Sequence, residues 1–309
     1  MIDADNGLVI LAGALLIDQV FGEYSNRFHP VAWMGRSIRT VQKLWVSAPV
    51  PDYFIGFIIA IGIPAFWATS AYLVLEISKF NEWLYYLLAI LIFKASFALK
   101  ALGYASLLIG KLLKQGDVDK ARFELRSLCS RDASQLPESD LLSASIASTA
   151  ENLSDSFVAP LFYFILFGIP GAIAYRAINT LDAMLGYMDH RRWVGHFSAK
   201  LDDLANYIPA RITGGLLILA AKMQGMAARR GVFIMIRDHF QTPSPNGGWP
   251  MAAMAGLLDI EITKPGVYRL GEAGQNINFT HLEKSWRVAS WAAWISVAIT
   301  FIILGLSYV

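Results

Sequence analysis

Between residues 145 and 211 the chain packs an unusual density of groups that can do chemistry. Glu151, Asn152, Asp155, Arg176, Asn179, Asp182, Asp202, Asp203 and Arg211 all fall there, separated by apolar runs. On a helix, Ser148, Glu151, Asn152 and Asp155 share one face, because residues three and four apart are neighbours. Two carboxylates one turn apart can hold a hard cation such as magnesium and leave positions for phosphate oxygens; a solvated face at a helix end is the competing explanation. Arg176, Asn179, Thr180 and Tyr187 form a second arc with Asp182 at its edge. Arg176 offers a planar fork suited to carboxylate or phosphate, unless an internal ion pair consumes it. Asp202, Asp203 and Asn206 make a third, acidic face, with Arg211 beyond Pro209. Adjacent like charges raise each other's pKa unless a cation or water lies between them. The turn T-P-S-P-N-G-G-W-P at 242–250 brings Ser244, Asn246, Gly247 and Gly248 together, and its backbone N–H groups are candidates to face a phosphate. His29, in H-P-V-A-W-M-G-R, is more readily a loop residue than a ligand.

The elements that must position these groups are apolar. The 309 residues are 55% hydrophobic and only 16% charged, with a mean hydropathy of +0.45, too apolar for an ordinary soluble domain. Nine Trp, 18 Phe and 12 Tyr suit aromatic belts at a membrane surface. The net charge of +2 and the lack of a basic run argue against nucleic acid. One cysteine, Cys129, excludes an internal disulfide or a cysteine-rich metal site. The histidines show no zinc-binding spacing, and Ser143, Ser145 and Ser148 lack the context of a hydrolase nucleophile. The M-I-D-A-D-N start has no basic flank, so the first apolar segment is expected to remain in the protein.

Runs at 54–77, 83–110 and 288–308 are clear spans, while Gly7 to Phe21 is short for one. Lys94 and Lys100, inside the second run, are expected to snorkel or to sit at a helix end. Residues 157–174 carry Pro160 and a G-I-P-G break, so this segment either crosses as a strained short helix or dips in and returns. Residues 208–223 open with Pro209 and hold Gly214-Gly215. The expected architecture is all-α: one polytopic membrane domain over 1–309, five or six crossings with broken or re-entrant segments, and polar loops. Basic residues after the first, third and fifth spans place those loops in the cytoplasm and the N-terminus outside. Strict alternation then puts 176–207 outside; the broken segments flanking it argue instead that it reaches the cytoplasmic compartment.

Five ordered motifs carry a resemblance over nearly the whole chain: H-P-V-A-W-M-G-R through S-R-D, E-N-L-S-D-S-F-V-A-P-L-F, A-Y-R-A-I-N-T-L-D-A-M-L-G-Y, L-D-D-L-A-N-Y-I-P-A-R and S-P-N-G-G-W-P-M-A-A-M-A-G. They resemble the CobD/CbiB family, the adenosylcobinamide-phosphate synthases of cobalamin biosynthesis. The segment between Asp259 and Ser285 has no pattern that matches, and the loop after Tyr187 is short. The resemblance implies a ligase of the cell (inner) membrane that forms an amide between adenosylcobyric acid and aminopropanol or its O-phosphate, with ATP activating the carboxylate. It implies magnesium with ATP, held by Glu151, Asp155, Asp202 and Asp203 with Asp182 nearby, and no zinc, haem or flavin. Glu151, Asp155, Arg176 and Asp182 are then the catalytic candidates. His29, Arg131, Asn152, Asn179, Arg211, Ser244, Asn246, Gly247 and Gly248 are candidates for substrate or phosphate binding. The expected partners are a corrinoid, an amino-alcohol phosphate and the bilayer, with a homo-oligomer or an assembly with other corrinoid-pathway membrane enzymes left open. The alternative is a transporter of a polar or anionic solute using the same acidic and arginine cluster, although the two halves show no inverted repeat; a non-catalytic membrane relative is a third class.

Overall fold

The computed structural model describes residues 4–45, 52–129, 132–186 and 192–306. The chain runs α1 (Ala4–Phe21), α2 (Pro30–Trp45), α3 (Asp52–Ser78), α4 (Glu82–Lys94), α5 (Leu99–Lys114), α6 (Val118–Glu124) and α7 (Glu138–Leu153). It continues as α8 (Ala159–Leu185), α9 (Arg192–Ala205), α10 (Tyr207–Met223), α11 (Ala228–Asp238) and α12 (Gly248–Leu258). A small hairpin of β1 (Glu261–Lys264) and β2 (Tyr268–Gly271) precedes α13 (Phe279–Leu306). The all-α membrane reading holds. Four helical stretches, Asp52–Ser78, Glu82–Lys114, Glu138–Leu185 and Phe279–Leu306, are long and apolar enough to cross a bilayer, and a fifth is reached if the broken pair α9 and α10 counts as one.

The stretch expected as one domain divides into two compact units, one of residues 1–98, 159–206 and 299–309, the other of 99–158 and 207–298. Each is drawn from discontinuous segments. The chain passes between them at four places: three where helical regularity fails, after Lys94, at a π-helical turn over Ser154–Val158 and at Asn206 between α9 and α10, and a fourth inside the unbroken α13 between residues 298 and 299.

In the first unit, α8 is not one straight rod. Gly168 takes φ 70 and ψ −161, a backbone conformation inside the helix that is not helical, and Pro170 follows with no N–H to offer. Tyr163 and Tyr175 stack with centroids 5.1 Å apart. Twelve residues of uninterrupted helix would separate them by about 18 Å. The chain therefore turns back at Gly168, and Tyr175 packs in one apolar cluster with Ala159 and Ala205. The G-I-P-G break read from the sequence is therefore a reversal of the chain. Helix α9 lies against α3 closely enough that a Cβ on Gly56 would come within 2.3 Å of the Val194 carbonyl oxygen, a small-residue crossing of the kind apolar bundles favour.

Lys94 takes the second of the two positions expected for it, a helix end, as the last residue of α4. Lys94 is fully buried, its ammonium 3.2 Å from Asp18 Oδ1 and 2.6 Å from Glu23 Oε1, and it donates to the Phe97 carbonyl at 3.2 Å. The carboxylates of α1 and the loop after it stabilise the cation more than the water it would have to reach. Lys100, by contrast, is exposed. His29 completes the cluster: Nε2 lies 2.6 Å from Glu23 Oε2, while Nδ1 accepts from the Val31 N–H. That second bond requires an unprotonated Nδ1, so the tautomer carrying its proton on Nε2 donates to Glu23. With both ring nitrogens engaged by the protein, His29 is a positioning group here rather than the phosphate ligand expected.

In the second unit, α12 is enclosed; every residue of it except Trp249 is buried. Helices α5 and α7 are joined by hydroxyls, Ser106 Oγ to Thr149 Oγ1 at 2.6 Å and Ser145 Oγ to the Ser106 carbonyl at 3.3 Å. Ser145 and Thr149 of α7 thus pack helices.

Three outcomes follow. Gly168→Ala places a Cβ in a region only glycine occupies comfortably and is expected to cost about 1–3 kcal/mol, read as a lower midpoint in thermal unfolding of detergent-solubilised protein; an unchanged midpoint would show the turn is not strained. Lys94→Met leaves two carboxylates facing each other without their cation and is expected to cost about 3–5 kcal/mol. Burial would raise the Glu23 pKa, but the bonds from His29 and Lys94 outweigh it and hold it below the ordinary glutamate value. Its stabilising contribution is therefore present above that value and lost as pH falls through the depressed one. Glu23→Gln should flatten the acid limb of a melting-temperature-against-pH curve.

Candidate active site

Two polar assemblies emerge, one in each unit. In the first, the returning arm of α8 and the end of α9 form a hydrogen-bonded network. Asn179 donates to Asp202 Oδ1 at 3.4 Å and Asn206 to Asp202 Oδ2 at 3.1 Å. Tyr175 donates to Asn206 Oδ1 at 2.8 Å, and Tyr163 to the Ala205 carbonyl at 3.0 Å. The two stacked tyrosines that mark the reversal thus also fix Asp202. Arg176 donates to Asn179 Oδ1 at 3.4 Å. Its Nε is buried without a partner, and among the described residues it forms no ion pair. The internal ion pair that competed with ligand binding for Arg176 is not found among them. Asp182 folds over Gly186, where a Cβ would lie 2.0 Å from its Oδ1, and Asp203 is 3.7 Å from Lys200 Nζ.

In the second unit, a cavity of about 290 Å³ lies beside α7, lined by Ser148, Glu151, Asn152, Ser244, Gly247 and Lys264 among others. Three of the four residues assigned to one face of α7 therefore do face the same space. The fourth, Asp155, lies in the π-helical turn Ser154–Val158, a feature that recurs at functional sites. Asn152 also donates to the Leu128 carbonyl at 2.9 Å, so part of its role is to hold the segment after α6.

The turn at 242–250 is explained by closeness. A Cβ on Gly247 would come within 2.6 Å of Glu151 Oε1, and one on Gly248 within 1.9 Å of the His239 carbonyl oxygen. Glycine here lets the backbone approach a carboxylate on one side and a neighbouring chain on the other. Thr242 Oγ1 donates to the Ser244 carbonyl at 2.7 Å, and Asn246 N–H donates to Ser244 Oγ at 3.3 Å. Arg211, which the sequence had placed beyond the acidic face of α9, joins this turn: it donates to Asn246 Oδ1 at 3.3 Å and lies over the rings of Tyr207 and Trp249. Arg131 and Tyr187 lie outside the described residues.

Among the described residues, no three His, Cys, Asp or Glu side chains converge as a metal centre. Glu151, Asp155, Asp202 and Asp203 therefore do not build a protein-only cage. Their oxygens still fit magnesium, which takes one or two protein carboxylates and completes its octahedron with water and phosphate. Sequence reasoning missed Lys264 and Tyr268, which the β-hairpin carries to the cavity. It also missed the Asp18–Lys94–Glu23 cluster. Lone opposite charges in two apolar runs were the available signal for that cluster; nothing local marks Lys264.

These features define a polytopic helical membrane protein with buried polar faces. The sequence model of the family described as CobD/Cbib protein matches residues 11–295, and the chain belongs to that family. It is 42% identical to the cobalamin biosynthesis protein CobD of Dehalococcoides mccartyi over 86% of this chain and 87% of that one. It is 40% identical to a probable cobalamin biosynthesis protein CobD of Methanothermobacter thermautotrophicus over 85% and 86%. A probable CobD of Thermoplasma volcanium is 34% identical over 94% and 95%. No solved structure matches.

The two glycines of the turn separate site from fold. In Gly247→Ala the obstacles are the far ends of two flexible side chains, Glu151 and Met251, so the melting temperature should hold while Glu151 is displaced. Gly248→Ala meets backbone and should lower it. Equal melting temperatures for the two variants would refute this division.

Proposed function

We propose that this chain is a membrane-embedded enzyme of cobalamin biosynthesis, an adenosylcobinamide-phosphate synthase. Membership of the family and the names of its relatives support the pathway. The reaction is the ATP-dependent joining of a carboxylate of adenosylcobyric acid to the amine of aminopropanol or its O-phosphate. The observation that carries the reading is Arg176: a guanidinium with a buried, unpartnered Nε beside the Asn179–Asp202 network, in an otherwise apolar bundle. Such a group is costly to keep unless an anion uses it.

A carboxylate at neutral pH is a poor acyl donor, and ATP supplies the activation. Arg176 would hold a phosphate or the developing oxyanion with its two-pronged fork. Arg211, kept flat over Tyr207 and Trp249, would do the same at the glycine-rich turn. Asp182, Asp202 and Asp203 in the first unit and, separately, Asp155 in the second are candidates to hold magnesium, which neutralises triphosphate charge when bound. The carboxamide oxygens of Asn179 and Asn206 are spent on neighbours, and their amide groups orient Asp202. The enzyme would sit in the cell membrane with 111–156 and 224–285 on the cytoplasmic side, where ATP is found.

The test is conversion of cobyric acid to the cobinamide product by purified protein with ATP. Asp155→Asn and Asp202→Asn should retain the wild-type melting temperature and lose about 10²–10³-fold in rate. Arg176→Lys should fail too, because an ammonium cannot reproduce the fork. Near-normal turnover in all three would place the chemistry elsewhere. Solute uptake into vesicles without ATP and without amide product would put the chain in the transporter class.

A further inference from the structure

A second cavity, of about 680 Å³, opens in the first unit where the reversal of α8 meets the turn between α3 and α4. Gly168, Ile169 and Pro170 line it from the reversal, and Glu76, Lys79 and Glu82 from the two sides of the α3–α4 turn. It is separate from the polar network of the same unit. None of Arg176, Asn179 and Asp202 lines it, and Arg176 follows Gly168 by roughly 12 Å of helix.

The walls are held by aromatic side chains. The Tyr86 hydroxyl donates to Asn6 Oδ1 at the start of α1, and Tyr85 packs edge-on against Tyr86 with centroids 5.7 Å apart. On the opposite wall Phe167 stacks on Tyr163 at 6.3 Å, continuing the column that Tyr163 forms with Tyr175. In the α3–α4 turn Phe80 and Trp83 are 78% and 84% exposed. Aromatic rings so exposed at the ends of two apolar spans mark the level of lipid head groups. Leu73, Ile77 and Leu166, on the arms of α3 and α8 that lead to the cavity, are exposed as well.

The charges narrow the occupant. Glu76 and Lys79 lie 2.6 Å apart and offset one another. Glu82 lines the same space and, among the described residues, forms no ion pair, so one negative charge is left over. It sits in a cavity that the rings of Tyr72, Tyr85 and Tyr86 also line, and the faces of such rings attract cations. Glu76 uses one of the three N–H donors of the Lys79 ammonium, and the others remain for an anion. At about 680 Å³ the space is within the range of ligand sites.

We infer that this cavity binds a phospholipid whose head group ends in a primary ammonium. Glu82 and the phenol rings take the ammonium, Lys79 reaches the phosphate, and the acyl chains follow the exposed apolar surface of α3 and α8. A lipid with an anionic head group and no ammonium would bring a like charge to Glu82. A quaternary ammonium would offer its carboxylate no N–H. The bound lipid would lie against the backbone at Gly168–Pro170, and a ligand held only by the folded chain stabilises it. The inference stands without the synthase reading.

The experiment uses the full chain, purified in detergent and stripped of lipid, with thermal unfolding and native mass spectrometry as readouts. The probes are phosphatidylethanolamine, phosphatidylcholine, phosphatidylglycerol and water-soluble glycerophosphoethanolamine. Phosphatidylethanolamine should raise the melting temperature most and leave a one-to-one adduct, with each of the others bound about tenfold more weakly or less. Glu82→Gln should keep the lipid-free melting temperature and lose the preference for phosphatidylethanolamine over phosphatidylglycerol. Tyr72→Leu, which leaves every charge in place, should weaken phosphatidylethanolamine by several-fold, so the assignment does not hang on one variant. Equal binding of phosphatidylethanolamine and phosphatidylglycerol by the wild type would overturn it, and so would an undiminished preference in both variants. Glycerophosphoethanolamine bound as tightly as the lipid would rule out the bilayer as the source of the occupant.

Discussion

A polypeptide that turns back inside an apolar bundle must satisfy the backbone groups at the turn without help from water, and this constraint shapes the first unit. Gly168 supplies a conformation closed to other residues, and Pro170 removes a donor that would otherwise need an acceptor. The reversal in turn brings Tyr163 onto Tyr175. Their hydroxyls reach the Ala205 carbonyl and Asn206, so the same pair that seals the hairpin also anchors the end of α9. Asp202 then finds two carboxamide donors within reach. A straight helix over the same residues would carry Arg176 and Asn179 far beyond Tyr163, and this network could not form.

Polar groups in so apolar a chain fall into two kinds, separated by whether the protein itself completes their bonding. Lys94 meets two carboxylates and a carbonyl, and Asp238 accepts four hydrogen bonds at its two oxygens. These are closed sets, and each fixes a piece of backbone: the α1–α4 junction in one case, the β-hairpin in the other. Arg176 is different, since among the described residues its buried Nε has no acceptor. That surplus, rather than charge alone, distinguishes a group waiting for a ligand from one holding the fold.

The sequence made the apolar spans legible because length and composition are local properties, and it made the faces of α7, α8 and α9 legible because helical spacing is local too. The break at 168–171 was visible as G-I-P-G; that the chain reverses there rests on the Tyr163–Tyr175 contact, which depends on packing at twelve residues' separation. The partners of Lys94 were hidden for the same reason: they lie about seventy positions earlier, so neither run taken alone revealed the set. Lys264 sits in a segment with no matching motif and enters the cavity only because Asp238 and Ser143 hold a short hairpin in place.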